Sequence, residues 1–304
     1  MCYSDRRSDL ELAYCLTDRG NAQNEDFVCV GRVEGSEPGR PEGLFGVLLD
    51  GATGLFPGSL FGDGWRSDAQ WLSHTAGAAL ADELRSGAGV RDALGRVVAH
   101  LQRRVSEAAG VPFEEVAPDA VPSCTLSVAV VRGGACSVFC LGDSPIVVAL
   151  ASSEAVVLRD ERLVALDAGA VRHMVERSAG RSLPCAERRA LVADELRANR
   201  RLRNTEGGYW CFDPTGEGLD HLREQTFPAG EVRFVSAYSD GLFAADDTYG
   251  LVDLVRRERA PRLAELLSTI DRMRVVESDD PDLERHPRLK PADDASSFQL
   301  LVAR

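Results

Sequence analysis

The sequence predicts an α+β fold in which antiparallel strands, and not βαβ units, form the sheet. From Cys124 to Leu158, short apolar strands follow one another across tight turns such as Arg132-Gly133-Gly134. Residues 65–84 and 90–105 repeat apolar side chains at helical spacing, which predicts two amphipathic helices that face a sheet. A dinucleotide-binding fold, in which strands alternate with helices, does not fit this order.

Taken in order, the N-terminal part predicts three strands, at residues 11–17, 27–33 and 44–49. A polar turn separates the first two strands. The segments 34–43 and 55–64 are rich in Gly and Pro, so we expect loops there.

The C-terminal half predicts charged helices at residues 167–203 that break at Pro184, and then a strand at residues 231–239. Two helices follow at residues 250–272, with Pro261 at the start of the second. A loop at residues 277–295 leads to a last strand at residues 298–302.

Composition excludes some classes of protein. The chain has 304 residues and a net charge of −13, whereas a general nucleic-acid binder is basic. No apolar run approaches the ~20 residues of a membrane span, and no apolar signal-peptide segment follows Met1. We therefore expect a cytoplasmic protein without a nucleic-acid or membrane partner. The eight cysteines lack Cys-x-x-Cys spacing, which favours free thiols.

Three predicted strands end in an acid, at Leu49-Asp50-Gly51, Leu141-Gly142-Asp143 and Ser239-Asp240-Gly241. A single Asp-Gly is most often a turn or a helix cap. Acids gathered in one pocket would repel one another unless a cation lay between them, and hard divalent cations prefer oxygen ligands. Because the acids come from both ends of the chain, we expect one domain over residues 1–304.

The order of these motifs resembles the metal-dependent protein phosphatase family PP2C, in particular its bacterial branch with shorter motifs. The matching segments are Asn24-Glu25-Asp26, Leu49-Asp50-Gly51, Ser123-Cys124-Thr125 with Leu141-Gly142-Asp143-Ser144, Ser239-Asp240-Gly241 and Asp293-Asp294-Ala295-Ser296. The resemblance covers nearly the whole chain. It implies a four-layer αββα sandwich, in which helices flank two antiparallel sheets.

The resemblance also implies a site for two Mg²⁺ or Mn²⁺ ions, with a third, weaker ion in many members. Asp50 matches the carboxylate that bridges two ions, and Gly51 supplies an adjoining carbonyl ligand. The other matches are Asp240 and Asp293 as ligands of one ion, Glu25 as the acid of the other, Asp26 as a holder of its water shell and Asp143 near the third ion.

The implied reaction is hydrolysis of phosphoserine or phosphothreonine in a phosphorylated protein substrate. A hydroxide that bridges two ions attacks phosphorus in line, and no covalent enzyme intermediate is needed. The residues that carry this chemistry by resemblance are Asp50, Glu25 and Asp240.

Three positions depart from the family pattern. At one of them Pro145 stands where the pattern Gly-Asp-Ser-Arg has Arg, which we attribute to strand geometry. The other two concern the chemistry. Ala52 stands where many members have a His that is thought to act as general acid, so the proton donor is open between solvent, His74 and another group. Asn21 stands where many members have a phosphate-binding Arg, and the nearby Arg19 is our predicted phosphate-binding residue.

Two other functions stay open at this point. Ala52 and Asn21 motivate a binding or regulatory module on the phosphatase fold, a pseudophosphatase with weak or no turnover. Hydrolysis of a nucleotide or another small phosphate is the third possibility, because no phosphate-binding loop decides the substrate.

Overall fold

The computed structural model describes residues 8–10, 12–35, 42–56, 58–62 and 64–302. The first residue of the strand predicted for 11–17 and parts of the loops predicted for 34–43 and 55–64 lie outside the described residues. Within the described part, no helix has the length and apolar composition to cross a membrane.

Eleven described strands form two antiparallel sheets. In chain order they are β1 (Ser8–Leu10), β2 (Ala13–Asp18), β3 (Phe27–Val33), β4 (Gly43–Leu49), β5 (Leu126–Arg132), β6 (Ala135–Leu141), β7 (Ile146–Leu150), β8 (Ala155–Leu158), β9 (Arg223–Pro228), β10 (Val232–Tyr238) and β11 (Ala295–Leu301). The six-stranded sheet has the order β1-β2-β11-β10-β7-β8, and the five-stranded sheet has the order β3-β4-β5-β6-β9. The last strand thus lies between β2 and β10, which joins the two ends of the chain.

Helices cover both outer faces of the two sheets. The described α-helices are α1 (Asp68–Arg85), α2 (Val90–Ala109), α3 (Glu161–Ser178), α4 (Cys185–Ala190), α5 (Ala193–Arg200), α6 (Asp240–Asp247) and α7 (Leu263–Ser278). A core that includes Trp71 and Leu101 joins α1 and α2 to the five-stranded sheet. A core that includes Leu242 and Ile270 joins α6 and α7 to the six-stranded sheet. The predicted αββα sandwich is confirmed.

Strand β4 shows why the central strands are apolar at nearly every position. Successive side chains of a strand point to opposite faces. Phe45, Val47 and Leu49 pack in the core against the first helix pair, whereas Leu44 and Leu48 pack in the core between the sheets. Both faces are buried, so the strand has no polar face.

Most predicted elements are present, with instructive exceptions. Gly133 and Gly134 join β5 to β6 with φ angles of 59° and 78°, as a type I′ hairpin turn requires. The prediction of two helices within residues 250–272 is partly wrong, because α6 begins at Asp240, directly after β10, and only α7 falls near the expected place. Strand β9 was not predicted: it is an edge strand with five of its six residues exposed, so it has no alternating apolar pattern.

Candidate active site

The strand register brings the motif acids to one end of the sandwich. Phe27 pairs with Leu49, so Asp26 and Asp50, which flank this pair, lie side by side. In the other sheet, the Ser239 amide donates to the Ser296 carbonyl over 2.9 Å, which brings the segment before β11 next to the end of β10. Acids far apart in the sequence therefore meet at one edge.

A cavity of about 700 Å³ opens at this edge. Eight acids line it, among them Asp50, Asp143, Asp167, Asp240 and Asp293. The Asp240 amide nitrogen lies 3.4 Å from Asp50 Oδ2. This edge is the place that the sequence predicted for a shared acidic pocket.

The carboxylates destabilise one another's charged forms. Burial raises the pKa of Asp50, and the charges of Asp240, Asp26 and Asp293 raise it further. Asp240 faces the open cavity, yet enclosure by the protein and the charge of Asp293 raise its pKa as well. Burial followed by the charge of Asp240 likewise raises the pKa of Asp143.

Asp26 gives the structural indication that a cation would stabilise this cluster of acids. Its side chain is only 3% exposed, and its Oδ2 atom has no hydrogen-bond partner among the described residues. Burial and the charge of Asp294 raise its pKa. A buried carboxylate oxygen without a partner is costly, and a cation at that point would remove the cost.

The donor set fits a hard divalent cation. The acids that converge here offer carboxylate oxygens, which Mg²⁺ and Mn²⁺ prefer as ligands. Within the described residues, no three His, Cys, Asp or Glu side chains are arranged so that they could hold one ion by themselves. Mg²⁺ commonly keeps several waters and takes only one or two carboxylates, so a hydrated ion suits this arrangement.

The contacts of Glu25 differ from those of Asp26, the next residue in the chain. The Glu25 side chain accepts hydrogen bonds from Ser67 Oγ over 2.6 Å and from Thr53 Oγ1 over 2.5 Å. Glu25 lines a second cavity of about 750 Å³, which shares Ala52 with the acidic cavity, and it does not line the acidic cavity. The predicted metal role of Glu25 stays a prediction, and Asp26 is the acid of this pair whose charge raises the pKa of Asp50.

Gly51 lines the acidic cavity, and a close backbone approach explains why it is glycine. A Cβ atom on Gly51 would lie 2.6 Å from the Glu25 carbonyl oxygen and 3.0 Å from that of Ala69. The Gly51 amide donates to the same Glu25 carbonyl over 3.2 Å. Packing, and not a left-handed φ, therefore requires glycine after Asp50.

Comparison with known proteins identifies the family. The family model for Protein phosphatase 2C matches residues 38–278, which is most of the chain. The chain belongs to the protein phosphatase 2C family. No curated protein matches it.

Solved structures share the protein phosphatase 2C fold at low sequence identity. The serine/threonine phosphatase Stp1 from Staphylococcus aureus is 14% identical with a TM-score of 0.55, over 98% of this chain and 96% of that one. The S. agalactiae serine/threonine phosphatase is 14% identical, with a TM-score of 0.52 over 95% and 98%. PppA, a regulatory component of T6SS in Pseudomonas aeruginosa, is 16% identical, with a TM-score of 0.51 over 95% and 96%. These likenesses establish the fold.

Asn21 departs from the protein phosphatase 2C pattern, and Arg19 and His74 are the candidates to replace residues of the pattern that this chain lacks. The structure gives the contacts of all three. Asn21 donates from Nδ2 to Asp293 Oδ1 over 3.0 Å, so it contacts an acid of the site. Arg19 is exposed, donates to the Ala22 carbonyl over 3.3 Å and lines neither cavity; its phosphate-binding role stays a prediction. The His74 ring packs edge-on to Phe27 and lines neither cavity.

Three residues of this phosphatase 2C site were not predicted. Asp167, on α3, lines the cavity, and burial followed by the charge of Asp240 raises its pKa to about 6. Arg200, the last residue of α5, lines both cavities and donates weakly to the Ala52 and Thr53 carbonyls over 3.4 and 3.3 Å. Lys290 lies 2.7 Å from Asp293 Oδ2.

Only one of these three residues carried a signal in the sequence. Lys290 is the sole lysine among 35 Lys and Arg residues, which set it apart by composition. Asp167 and Arg200 belong to charged helices, where most such side chains are simply solvated. Their approach to the acids depends on how α3 and α5 pack over the edge of the sandwich.

Proposed function

We propose that this protein is a Mg²⁺- or Mn²⁺-dependent phosphoprotein phosphatase that acts on phosphoserine or phosphothreonine. The observation that carries the proposal is the convergence of Asp26, Asp50, Asp240 and Asp293 from distant segments, with a buried Asp26 oxygen that lacks a partner among the described residues. Membership of the protein phosphatase 2C family supports it.

In this proposal, Asp50 and Asp240 hold the divalent ions together with Asp26, the Gly51 carbonyl and coordinated water. Glu25, Asp143 and Asp293 are further acids of the proposed site. Bound ions would lower the pKa of a coordinated water and neutralise charge on the phosphoryl oxygens. Ser144 Oγ lies 2.7 Å from Thr125 Oγ1 and 3.5 Å from Asp50 Oδ2, so Ser144 donates at most a long hydrogen bond to the Asp50 carboxylate.

Arg200 is the residue that we propose for binding the phosphoryl group. Among the described residues, it has no carboxylate within ion-pair distance, and its bonds to the Ala52 and Thr53 carbonyls are long. It borders the acidic cavity beside Ala52. A guanidinium can donate two parallel hydrogen bonds to phosphate oxygens, so Arg200 would orient the substrate toward the acids.

The test uses purified protein with Mn²⁺, p-nitrophenyl phosphate and a phosphothreonine peptide. We expect hydrolysis of both, no hydrolysis after full chelation by EDTA, and recovery when Mn²⁺ is returned. Asp240→Asn should lower the turnover number by at least ~100-fold with an unchanged circular dichroism spectrum, since it removes an ion-holding carboxylate. Asp82→Asn, at an exposed acid of α1, is the matched control and should keep wild-type turnover.

Activity that survives complete metal removal would contradict this mechanism. Preference for nucleotides over the phosphopeptide, measured as kcat/KM, would instead favour the small-phosphate hydrolase.

The second candidate function is a phosphate-recognition or regulatory module on the same fold. It is favoured by Ala52 and by the contacts of Asn21 and Lys290, which both occupy oxygens of Asp293. This function predicts metal uptake in calorimetry without turnover of any phosphopeptide. A turnover number well above the uncatalysed rate excludes it.

A further inference from the structure

Lys290 is placed where the acidic cavity needs positive charge. Its Nζ atom lies 3.0 Å from Oδ1 and 2.7 Å from Oδ2 of Asp293, so one ammonium contacts both oxygens of that carboxylate. Lys290 also lines the cavity and is close enough to Asp240 and Asp50 to interact with their charges. It therefore neutralises part of the same cluster that a divalent ion would neutralise.

Neighbouring contacts restrain both partners of the Lys290–Asp293 ion pair, unlike those of a typical surface ion pair. The Asp293 carbonyl accepts from Arg274 Nη2 over 2.8 Å, which anchors the backbone of the acid. The segment before Lys290 is tied by Arg288, whose Nη1 donates to Asp280 Oδ2 over 2.8 Å in a largely buried pair. Because the surroundings already restrain both partners, little conformational entropy opposes their contact.

The residue type matters as much as its position. Every other Lys or Arg in this chain is an arginine, so composition alone would favour arginine at position 290. A lysine ammonium is a compact point charge, whereas a guanidinium is a broad planar fork. A tethered ammonium therefore resembles a small inorganic cation more closely than an arginine would.

We propose that Lys290 takes the place of one divalent ion at Asp293, so that the protein binds one ion fewer than its carboxylates alone would accept. Asp26, Asp50 and Asp240 remain for the ions that do bind. The inference rests on the proposed function, because it presumes that the cluster binds divalent ions. It concerns how many ions bind, whereas the proposed function concerns the reaction.

The test counts Mn²⁺ ions bound to the metal-free protein by equilibrium dialysis, with free Mn²⁺ read by electron paramagnetic resonance. We expect Lys290→Met to bind about one Mn²⁺ more per chain than the wild type, because the substitution frees a carboxylate for an oxygen-loving cation. Asp293→Asn in the wild-type background should leave the count unchanged. The double variant Lys290→Met/Asp293→Asn should return to the wild-type count.

Two outcomes overturn the inference. Equal counts for the wild type and Lys290→Met would mean that Lys290 moves aside when ions bind. Loss of an ion from Asp293→Asn alone would mean that Asp293 is an ordinary ligand, and this variant decides the matter even if Lys290→Met does not fold. Equal counts above zero leave the proposed function standing, whereas no Mn²⁺ binding by any of the proteins would remove both.

Discussion

Arg200 shows that the contacts of an arginine side chain decide its role in this protein. Its neighbour Arg201 pairs with Asp119 over 2.8 Å, and Arg203 pairs with the buried Asp213 over 3.2 Å. Arg200 bonds to carbonyls and faces the acidic cavity. Of these three arginines, Arg200 is thus the one whose charge is available to an anionic ligand.

We expect Arg200→Met to raise the KM for p-nitrophenyl phosphate by about 10- to 100-fold, because a hydrogen bond to a charged group is worth about 1.5–3 kcal/mol. Inhibition by inorganic phosphate should weaken by a similar factor. Steady-state kinetics with phosphate as a competitive inhibitor measures both quantities.

Arg201→Met is the matched control and should leave KM unchanged, since that side chain is 59% exposed and already paired. If Arg19→Met weakens phosphate inhibition and Arg200→Met does not, then Arg19 is the phosphate-binding residue, as the sequence predicted.

At the scale of elements, the junction between β10 and α6 delivers Asp240 to the site. Asp240 is the first residue of α6, and Ser239 links this junction to the start of β11, because its Oγ accepts from the Ser296 amide over 2.9 Å. A Cβ atom on Gly241 would overlap the Asp294 carbonyl oxygen and approach Asp293 Cβ within 2.9 Å. The absence of a side chain on Gly241 therefore allows the two acid-bearing segments to touch.

We expect Gly241→Ala to lower the free energy of unfolding by about 1–3 kcal/mol, because the added methyl group forces the backbone of two segments apart. Urea unfolding followed by circular dichroism measures the change. Gly95→Ala is the matched control: Gly95 lies inside α2 with no atom near its Cβ position, so alanine should stabilise by about 0.5–1 kcal/mol. Equal effects of the two substitutions would contradict the packing argument.

The elements also show which predictions local pattern can support. Strand β4 and helices α1 and α2 were predicted because burial of one or both faces leaves a clear periodic pattern. Strand β9 was missed because its pairing with β6 contributes backbone hydrogen bonds while most of its side chains stay in solvent. Helix α6 was misplaced because a strand and a helix meet there without a loop.

At the scale of the whole molecule, the acid cluster predicts a stability that depends on pH and, under the proposed function, on divalent metal. The pKa of Asp167 is raised to about 6 by burial and the charge of Asp240, and that of Asp294 to about 6 chiefly by burial. A raised folded-state pKa means that the folded protein holds protons that the unfolded chain has released. The stability contributed by these protons is present at low pH and is lost as the pH rises through about 6.

We therefore expect the free energy of unfolding of the metal-free protein to fall by about 2 kcal/mol or more between about pH 5 and about 6.5, since one pKa unit corresponds to about 1.4 kcal/mol. Urea unfolding at a series of pH values in EDTA measures the fall. Acids whose pKa is lowered, such as Glu265 at about 2, titrate below this window.

Mn²⁺ at saturating concentration should raise stability most at the upper end of the window, because it binds the ionised carboxylates of the folded state. The variant Asp167→Asn should flatten the pH dependence of the metal-free protein. Stability that rises from about pH 5 to about 6.5 in EDTA would show that the acids are not crowded as described.

The sequence by itself determined most of the sandwich strands and the acids at their ends, since apolar runs that stop at Asp50 and Asp240 are local features of the chain. Only the tertiary structure decided which acids meet. Glu25 and Asp26 are adjacent in sequence, yet one turns toward Ser67 and the other toward Asp50 and Asp294. The physical reason is that side-chain direction alternates along an extended chain, and that the strand register brings residues 269 positions apart into contact, which no local pattern encodes.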